Sequence, residues 1–382
     1  MAPRRDTDGT AGMTSSQTPT GAHGPGRRGR PRRGASLARA AYALGQTARV
    51  GVYLGQYVLS ARLTTPVEPK RPLQDAGSFP GLQEVLADLR ALLERDWANV
   101  EAGVYRMPHD LLEEPVAALR RARRYFRELQ RVERRRHGRG YDEVLKREEA
   151  ARLRAAYPRY YLQNFHFQSD GWLSEDSAAI YDHQVEVLFS GGADAMRRQA
   201  LVPLAEVMRT RRAAETRLID VASGTGRFLT FVKDNYPRLP VTALDLSPDY
   251  LAQAARNLRP WRGVETVQAA AEETGLPDAG FDLATCIFLF HELPPRVRPR
   301  AAAEIARILK PGGRLLFVDS IQAGDHPPFD ALLQRFPVAF HEPYYGSYTT
   351  TDLEALFAAA GLKTLSVERA FFSRVMVLEK AG

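Results

Sequence analysis

Arg217-Leu-Ile-Asp-Val-Ala-Ser-Gly-Thr-Gly-Arg-Phe228 and, soon after it, Val241-Thr-Ala-Leu-Asp-Leu-Ser247 decide the fold. The first stretch reads as a short apolar strand, Leu218 to Val221, running into a loop that holds Gly224 and Gly226. The second reads as another apolar strand ending in an acid, Asp245. Glycines at a strand-to-helix turn let the backbone approach a ligand, and an acid ending the next strand suits ribose hydroxyls. The pair points to an adenosine-bearing cofactor. No G-x-x-x-x-G-K-[ST] string occurs, which excludes a phosphate-binding P-loop. The dinucleotide fingerprint G-x-G-x-x-G lacks its last glycine, that place falling on Leu229.

Downstream, strands and helices alternate. Ser247 opens a capped helix, Ser247 to Leu258, and a third strand follows near Val264–Ala270. A fourth strand is expected over Leu283–Phe290, running into His291-Glu-Leu-Pro294. A helix over Arg300–Leu309 stops at Lys310-Pro-Gly-Gly313, before a fifth strand at Arg314–Asp319. This alternation predicts an α/β doubly wound sheet, mostly parallel and covered on both faces.

The order of these motifs resembles the class I S-adenosylmethionine-dependent methyltransferases, in particular the small-molecule group containing the ubiquinone and menaquinone C-methyltransferases. The likeness covers roughly Arg217 to Lys380. It rests on the glycine loop, Asp245, the run ending Phe281-Asp282, the His291-Glu-Leu-Pro turn and Leu309-Lys-Pro-Gly-Gly313. The resemblance implies S-adenosyl-L-methionine as cofactor and a seven-stranded Rossmann-like sheet whose last strand is antiparallel, finishing with Leu362–Phe371 and Phe372–Lys380. It places Asp220 and the loop Ala222, Ser223, Gly224 and Gly226 against the methionine part. Asp245 would take the ribose, and Leu246 would pack on adenine. The family often has an Asp ahead of an Ala-Glu pair to meet the adenine amine. Here Ala270 precedes Ala271-Glu272, so Glu272 or a backbone group takes that role. By the same resemblance, His291 and Glu292 face the acceptor, as general base or orienting groups.

The absences narrow the acceptor. There is no Asn/Asp-Pro-Pro-aromatic motif after the fourth strand, where nucleobase amine methylases carry one, and the only cysteine, Cys286, sits within an apolar strand. A single cysteine suits a reducing, cytoplasmic compartment. The net charge of +8 superficially suggests a polyanion partner, but residues 1–35 hold seven Arg and two Asp, and so most of the excess. That segment, rich in Gly, Pro and Thr, is expected to be a disordered basic tail. Nucleic acid is thus a secondary reading, as is a non-catalytic cofactor-binding scaffold; no metal site is expected.

Residues 36–155 are expected to form a helical amino-terminal region, and 156–382 the methyltransferase domain with its core at 217–380. On a helix over Ser36–Leu63, Arg39, Gln46, Arg49, Gln56 and Ser60 fall within an arc of roughly 100°. Ala, Leu, Val and Tyr dominate the rest. The arginines argue against a transmembrane span; the wide apolar face allows peripheral membrane contact or packing on protein. Helices are also expected from Leu82 and over Glu114–Arg136, the latter crowded with arginines. Tyr161, Phe165, His166 and Trp172, in an aromatic cluster leading into the domain, are candidates for an apolar acceptor pocket. A second wall, containing His341 and Tyr345, is expected from a mobile insertion after the fifth strand, Gln322 to Tyr348.

Overall fold

Seven stretches rich in Val, Ile, Leu and Phe pair into one sheet: β1 (Leu218–Val221), β2 (Val241–Asp245), β3 (Val264–Gln268), β4 (Phe281–Ile287), β5 (Leu309–Ser320), β6 (Leu362–Ala370) and β7 (Ser373–Lys380). In the computed structural model, which describes residues 33–65, 78–111, 114–146 and 150–382, their order is β3-β2-β1-β4-β5-β7-β6. β1 pairs in parallel with β2 and β4, and β7 runs antiparallel to β5 and β6, as the resemblance implied. The order reverses between β1 and β4. A parallel sheet opens a crevice at such a point, beyond the carboxyl ends of its strands.

β1 is buried along its whole length, and its side chains alternate between two cores. Leu218 joins Val241, Leu283 and Leu316 on one face; Ile219 and Val221 join Leu244, Cys286 and Phe317 on the other. The helices covering these faces and leading into the sheet are α1 (Arg33–Leu63), α2 (Leu82–Glu101), α3 (Pro115–Gly138), α4 (Ala150–Ala156), α5 (Glu175–Leu188), α6 (Ala193–Arg198) and α7 (Leu201–Met208). Within the sheet region lie α8 (Arg227–Asn235), α9 (Pro248–Leu258), α10 (Arg298–Ile308), α11 (Asp330–Phe340), α12 (Tyr345–Tyr348) and α13 (Leu353–Ala359). Leu89 and Leu92 of α2, with Tyr105 from the segment after it, share one buried cluster with Leu218 and Val241 of the sheet.

Three departures from expectation bear on the region around the site. β4 begins two residues earlier and ends at Ile287, because Phe290-His291-Glu292 form a single 3₁₀ turn. Asp319 at the end of β5 fixes that turn by accepting the Phe290 N–H at 2.7 Å. β5 begins at Leu309, so Lys310-Pro-Gly-Gly313 lies within the strand after α10 ends. The insertion after β5, expected as a mobile loop, folds largely into α11 and α12. The basic tail falls outside the described residues except for its last three positions, which begin α1.

Polar groups fasten the amino-terminal helices. Asp96 of α2 is fully buried and takes a fork from Arg198 of α6, at 3.0 and 2.6 Å. The Tyr42 hydroxyl of α1 donates to the same carboxylate at 2.5 Å and the Tyr105 hydroxyl at 2.7 Å. Arg49 of α1 bonds Glu186 at 2.7 Å and Asp194 at 2.8 Å. Removing one partner of such a buried pair typically costs about 3–5 kcal/mol, since the other charge is left uncompensated.

Candidate functional site

Asp220 is the penultimate residue of β1 and Asp245 the last of β2, and both line the crevice at the carboxyl ends of these strands. Asp245 accepts the Gly224 N–H at 2.8 Å through one oxygen and the Ser247 N–H at 2.9 Å through the other. Burial lifts its pKa to about 6 in spite of those bonds. Asp220 accepts the Thr285 hydroxyl at 2.6 Å, and burial lifts it to about 7. Asp182 of α5 is raised by burial too, and accepts the Thr225 hydroxyl at 2.8 Å. Between these acids stands the buried Arg197 of α6, paired with Asp194 at 2.9 Å.

These groups line a cavity of about 1050 Å³ of empty space, counting the part open to solvent. Pockets for small ligands run from roughly 300 to 1,000 Å³. Asp220, Ala222, Ser223, Gly224, Asp245, Leu246, Ala271 and Glu272 all line it, as expected. Gly226 does not. Its φ of +69° caps α8, and a Cβ there would meet Leu258 at 3.0 Å and Ala254 at 3.1 Å, so its need is local packing. Ala222 also has positive φ, 60°, where a glycine is usual. Ser247 caps α9 by accepting the Tyr250 N–H at 3.3 Å.

The lining tests well for the expected cofactor. A Cβ on Gly224 would meet nothing nearer than Tyr250 at 3.9 Å, so bare backbone faces the space. Among the described residues, the Ser223 hydroxyl and one oxygen of Glu272 are buried without a hydrogen-bond partner, and one oxygen of Asp182 has only Arg197, at 3.9 Å. Unpaired groups of this kind are costly unless a ligand meets them. Glu272 uses its other oxygen to accept the Tyr160 hydroxyl at 2.7 Å, beside Ala270 and Ala271.

The same lining is also aromatic and acidic. Tyr161, Phe165 and Trp172 belong to it, joined by Tyr181, Tyr250 and Phe288. Phe165 stacks on Trp172 with ring centroids 5.7 Å apart, and Trp172 meets Tyr181 and Tyr250 edge-on. Glu292 also reaches this lining, while His291 lies behind it. His291 Nδ1 contacts Asp319 at 2.5 Å, and its Nε2 stands 3.7 Å from Glu292. Burial opposes the charged imidazole, but Asp319 overrides it and holds the pKa at about 9.

His166, His341 and Tyr345, expected as acceptor contacts, do not line the cavity. His166 hydrogen-bonds Glu342 and stands 3.7 Å from Glu292, held at an unusual φ of 53°. His341 packs among Tyr141, Phe165 and Phe167, and burial lowers its pKa to about 4. Tyr345 is buried and shares a 2.6 Å hydrogen bond with Ser320. Glu342 of the insertion does not line the cavity either but stands buried behind Glu292, against His166, a place the sequence did not suggest. Burial and the proximity of Glu342 lift Glu292 to about 8, and burial lifts Glu342 to about 7. The two carboxyls are in hydrogen-bond contact with each other. Two such neighbours favour one shared proton at neutral pH.

Arg298 ties this corner together. It is buried and donates to the Phe290 carbonyl at 2.9 Å, the Tyr344 carbonyl at 2.7 Å and the Thr351 hydroxyl at 3.0 Å. The turn carrying Glu292 and the insertion carrying Glu342 are thus clamped by one guanidinium. Ligand atoms of His166, Glu292 and Glu342 lie within 4.8 Å of one another, a donor set that suits a divalent ion. The direct His166–Glu342 contact fills part of that space, which makes the group a hydrogen-bonded acid–base cluster.

Comparison with known proteins gives the same picture for the carboxyl half. The family described as "Methyltransferase domain" matches residues 218–313. A demethylmenaquinone methyltransferase of Thermus thermophilus is 30% identical over 205 residues, covering 50% of this chain and 88% of that protein. A ubiquinone/menaquinone biosynthesis C-methyltransferase UbiE of Methylobacterium nodulans is 32% identical, over 44% of this chain and 65% of its own length. A malonyl-[acyl-carrier protein] O-methyltransferase of Geobacter sulfurreducens is 27% identical, over 45% and 65%. The solved structure of the YcgJ protein from Bacillus subtilis aligns with 48% of this chain and 99% of that one, with a TM-score of 0.38 and 18% identity.

Proposed function

The chain belongs to the class I S-adenosylmethionine-dependent methyltransferases, enzymes of methyl transfer to small molecules, and from that premise we propose a lipophilic acceptor methylated at carbon or oxygen. The observation that carries this reading is one cavity whose lining joins buried carboxylates and bare backbone to aromatic rings and a raised-pKa carboxyl. Names of the relatives support a lipophilic acceptor, since demethylmenaquinone and demethylspheroidene are among them.

S-adenosylmethionine supplies an electrophilic methyl group on a sulfonium, which needs alignment and exclusion of water more than activation. In our reading Asp245 accepts the ribose hydroxyls. Asp220 and Asp182 meet the ammonium of the amino-acid end, and Arg197 its carboxylate. The Ala270–Glu272 segment borders the adenine, with Leu246 packing against it. Tyr161, Phe165, Trp172, Tyr181 and Phe288 exclude water and shape an apolar seat for the acceptor. Glu292, ionised, takes the proton that an acceptor hydroxyl or ring carbon must lose; Glu342 shares that proton. His291 acts through Glu292, its charge fixed by Asp319. These roles are carried by position and chemistry, and each side chain is open to substitution.

Incubation with donor carrying an isotopically labelled methyl group and a cellular lipid extract, followed by mass spectrometry, tests the proposal. Label in apolar products that falls sharply with Glu292→Gln is the expected result. Label confined to water-soluble products, or unchanged by that substitution, would overturn the lipophilic acceptor or the base respectively.

A further inference from the structure

α1 lies against the rest of the protein the reverse way round from an ordinary amphipathic helix. Its inner face is polar: Gln46 and Ser60 are buried, Arg49 is ion-paired, and Tyr42 and Tyr53 point their hydroxyl-bearing rings inward. Its outer face is apolar. Leu37 is 73% exposed, Leu44 72%, Val52 54% and Leu59 45%. With Ala41 and Ala48, both exposed, they follow the three-and-four spacing of a single helix stripe. Gly51 and Gly55 lie on the same stripe with nothing within 4 Å of an added Cβ. At about 1.5 Å per residue the helix is about 46 Å long, and the stripe runs along most of it. Contiguous apolar surface of this kind marks an interaction site.

Charge decides between occupants. α1 contains no Asp or Glu, and Arg39 and Arg62 are exposed near its two ends. The preceding residues 1–32 hold six Arg against two Asp. α3, which meets α1 through the 2.9 Å Ser60–Tyr125 hydrogen bond, exposes Arg120, Arg123, Arg127 and Arg134. An apolar stripe flanked by cations complements an anionic lipid surface, whereas cations on both sides oppose pairing with a second copy. No helix among the described residues is long and apolar enough to cross a bilayer, so the fit is to its interface.

We propose that α1 docks this protein on membranes bearing anionic phospholipid, its Leu37–Leu59 stripe entering the headgroup boundary and the arginines meeting the phosphates. The inner face joins this contact to the cofactor cavity. Arg49 bonds Asp194, and Asp194 bonds Arg197 in the cavity wall. The proposal is independent of which acceptor is methylated.

The test is co-sedimentation of the full chain with vesicles of phosphatidylcholine alone and of phosphatidylcholine containing phosphatidylglycerol. It is run beside the variant Leu44→Glu/Val52→Glu/Leu59→Glu, whose exposed positions leave the fold and cofactor binding unchanged, as checked by circular dichroism and calorimetry. Binding to the anionic vesicles, lowered about 100-fold or more in the variant, is the expected result. Binding that survives in the variant and vanishes in high salt would assign the contact to the basic tail and overturn the helix. No vesicle binding, with a dimer by sedimentation velocity that the variant dissociates, would overturn it in favour of a second copy. No vesicle binding without a dimer would overturn it as well.

Discussion

Two sets of groups in the cavity lining are built by different means. The set proposed for the cofactor consists of carboxylates at or near strand ends and loop backbone, held by a sheet whose β1 and β4 are buried along most of their length. The set proposed for the acceptor consists of side chains from a 3₁₀ turn and an aromatic lead-in segment, backed by the helical insertion and clamped by Arg298 and Asp319. Hydrogen bonds from backbone amides fix Asp245, while Glu292 has only other titratable groups and a turn for support. A rigid set fits a ligand that never changes; a set made of replaceable side chains fits one that differs between relatives. Binding and chemistry should therefore separate cleanly under mutation.

The largest expected effects divide along that line. Asp245→Ala should weaken cofactor binding about 100-fold or more in calorimetry, since charge-assisted hydrogen bonds contribute about 1.5–3 kcal/mol each. Glu292→Gln should lower turnover by about 100-fold while cofactor affinity stays within about twofold. A Glu292 variant that lost cofactor affinity as severely as the Asp245 variant would break the division.

The pH dependence of turnover comes next in size. Glu292 is pushed up to about 8 and Glu342 to about 7, and a base must lose its proton before accepting another. Turnover at saturating cofactor should therefore climb with pH across roughly 7 to 8. Glu342→Gln should move that rise to lower pH, because removing a neighbouring negative charge lets Glu292 ionise more readily. A flat profile would remove Glu292 as base. Smallest of all is the effect of chelation: treatment with EDTA should alter turnover by less than about twofold. A large loss restored by a divalent ion would convert the His166–Glu292–Glu342 cluster into a metal site.

The same division governs what could be read from the sequence. Asp220, Ala222, Ser223, Gly224, Asp245 and Leu246 lie in two short contiguous stretches, so the family resemblance carried by those stretches brought them together. Gly226 shows the limit even there: a glycine required by packing against Ala254 and Leu258 looks like one required by a ligand. In the acceptor set Glu292 was legible through its place after β4. Asp319, Glu342 and Arg298 were not, because their meeting depends on how β5 and the insertion return to the turn. Arg197, Asp182 and Tyr181 were missed for a similar reason, since α5 and α6 reach the cavity only through tertiary packing. On α1 the polar arc was legible, whereas its inward direction depends on buried partners such as Glu186 and Asp194.

Proton uptake or release on cofactor binding tests the central claim most directly, because it reports the carboxyls themselves. Asp220 stands at about 7 and Asp245 at about 6 in the open cavity, and a ligand bearing ammonium and hydroxyl donors favours their ionised forms. Titrating the protein with S-adenosylmethionine at about pH 6.5, in buffers of different ionisation enthalpy, should show net proton release and weaker binding as pH falls. Binding with no proton exchange, or tighter binding at lower pH, would contradict the placement of the cofactor on these carboxylates.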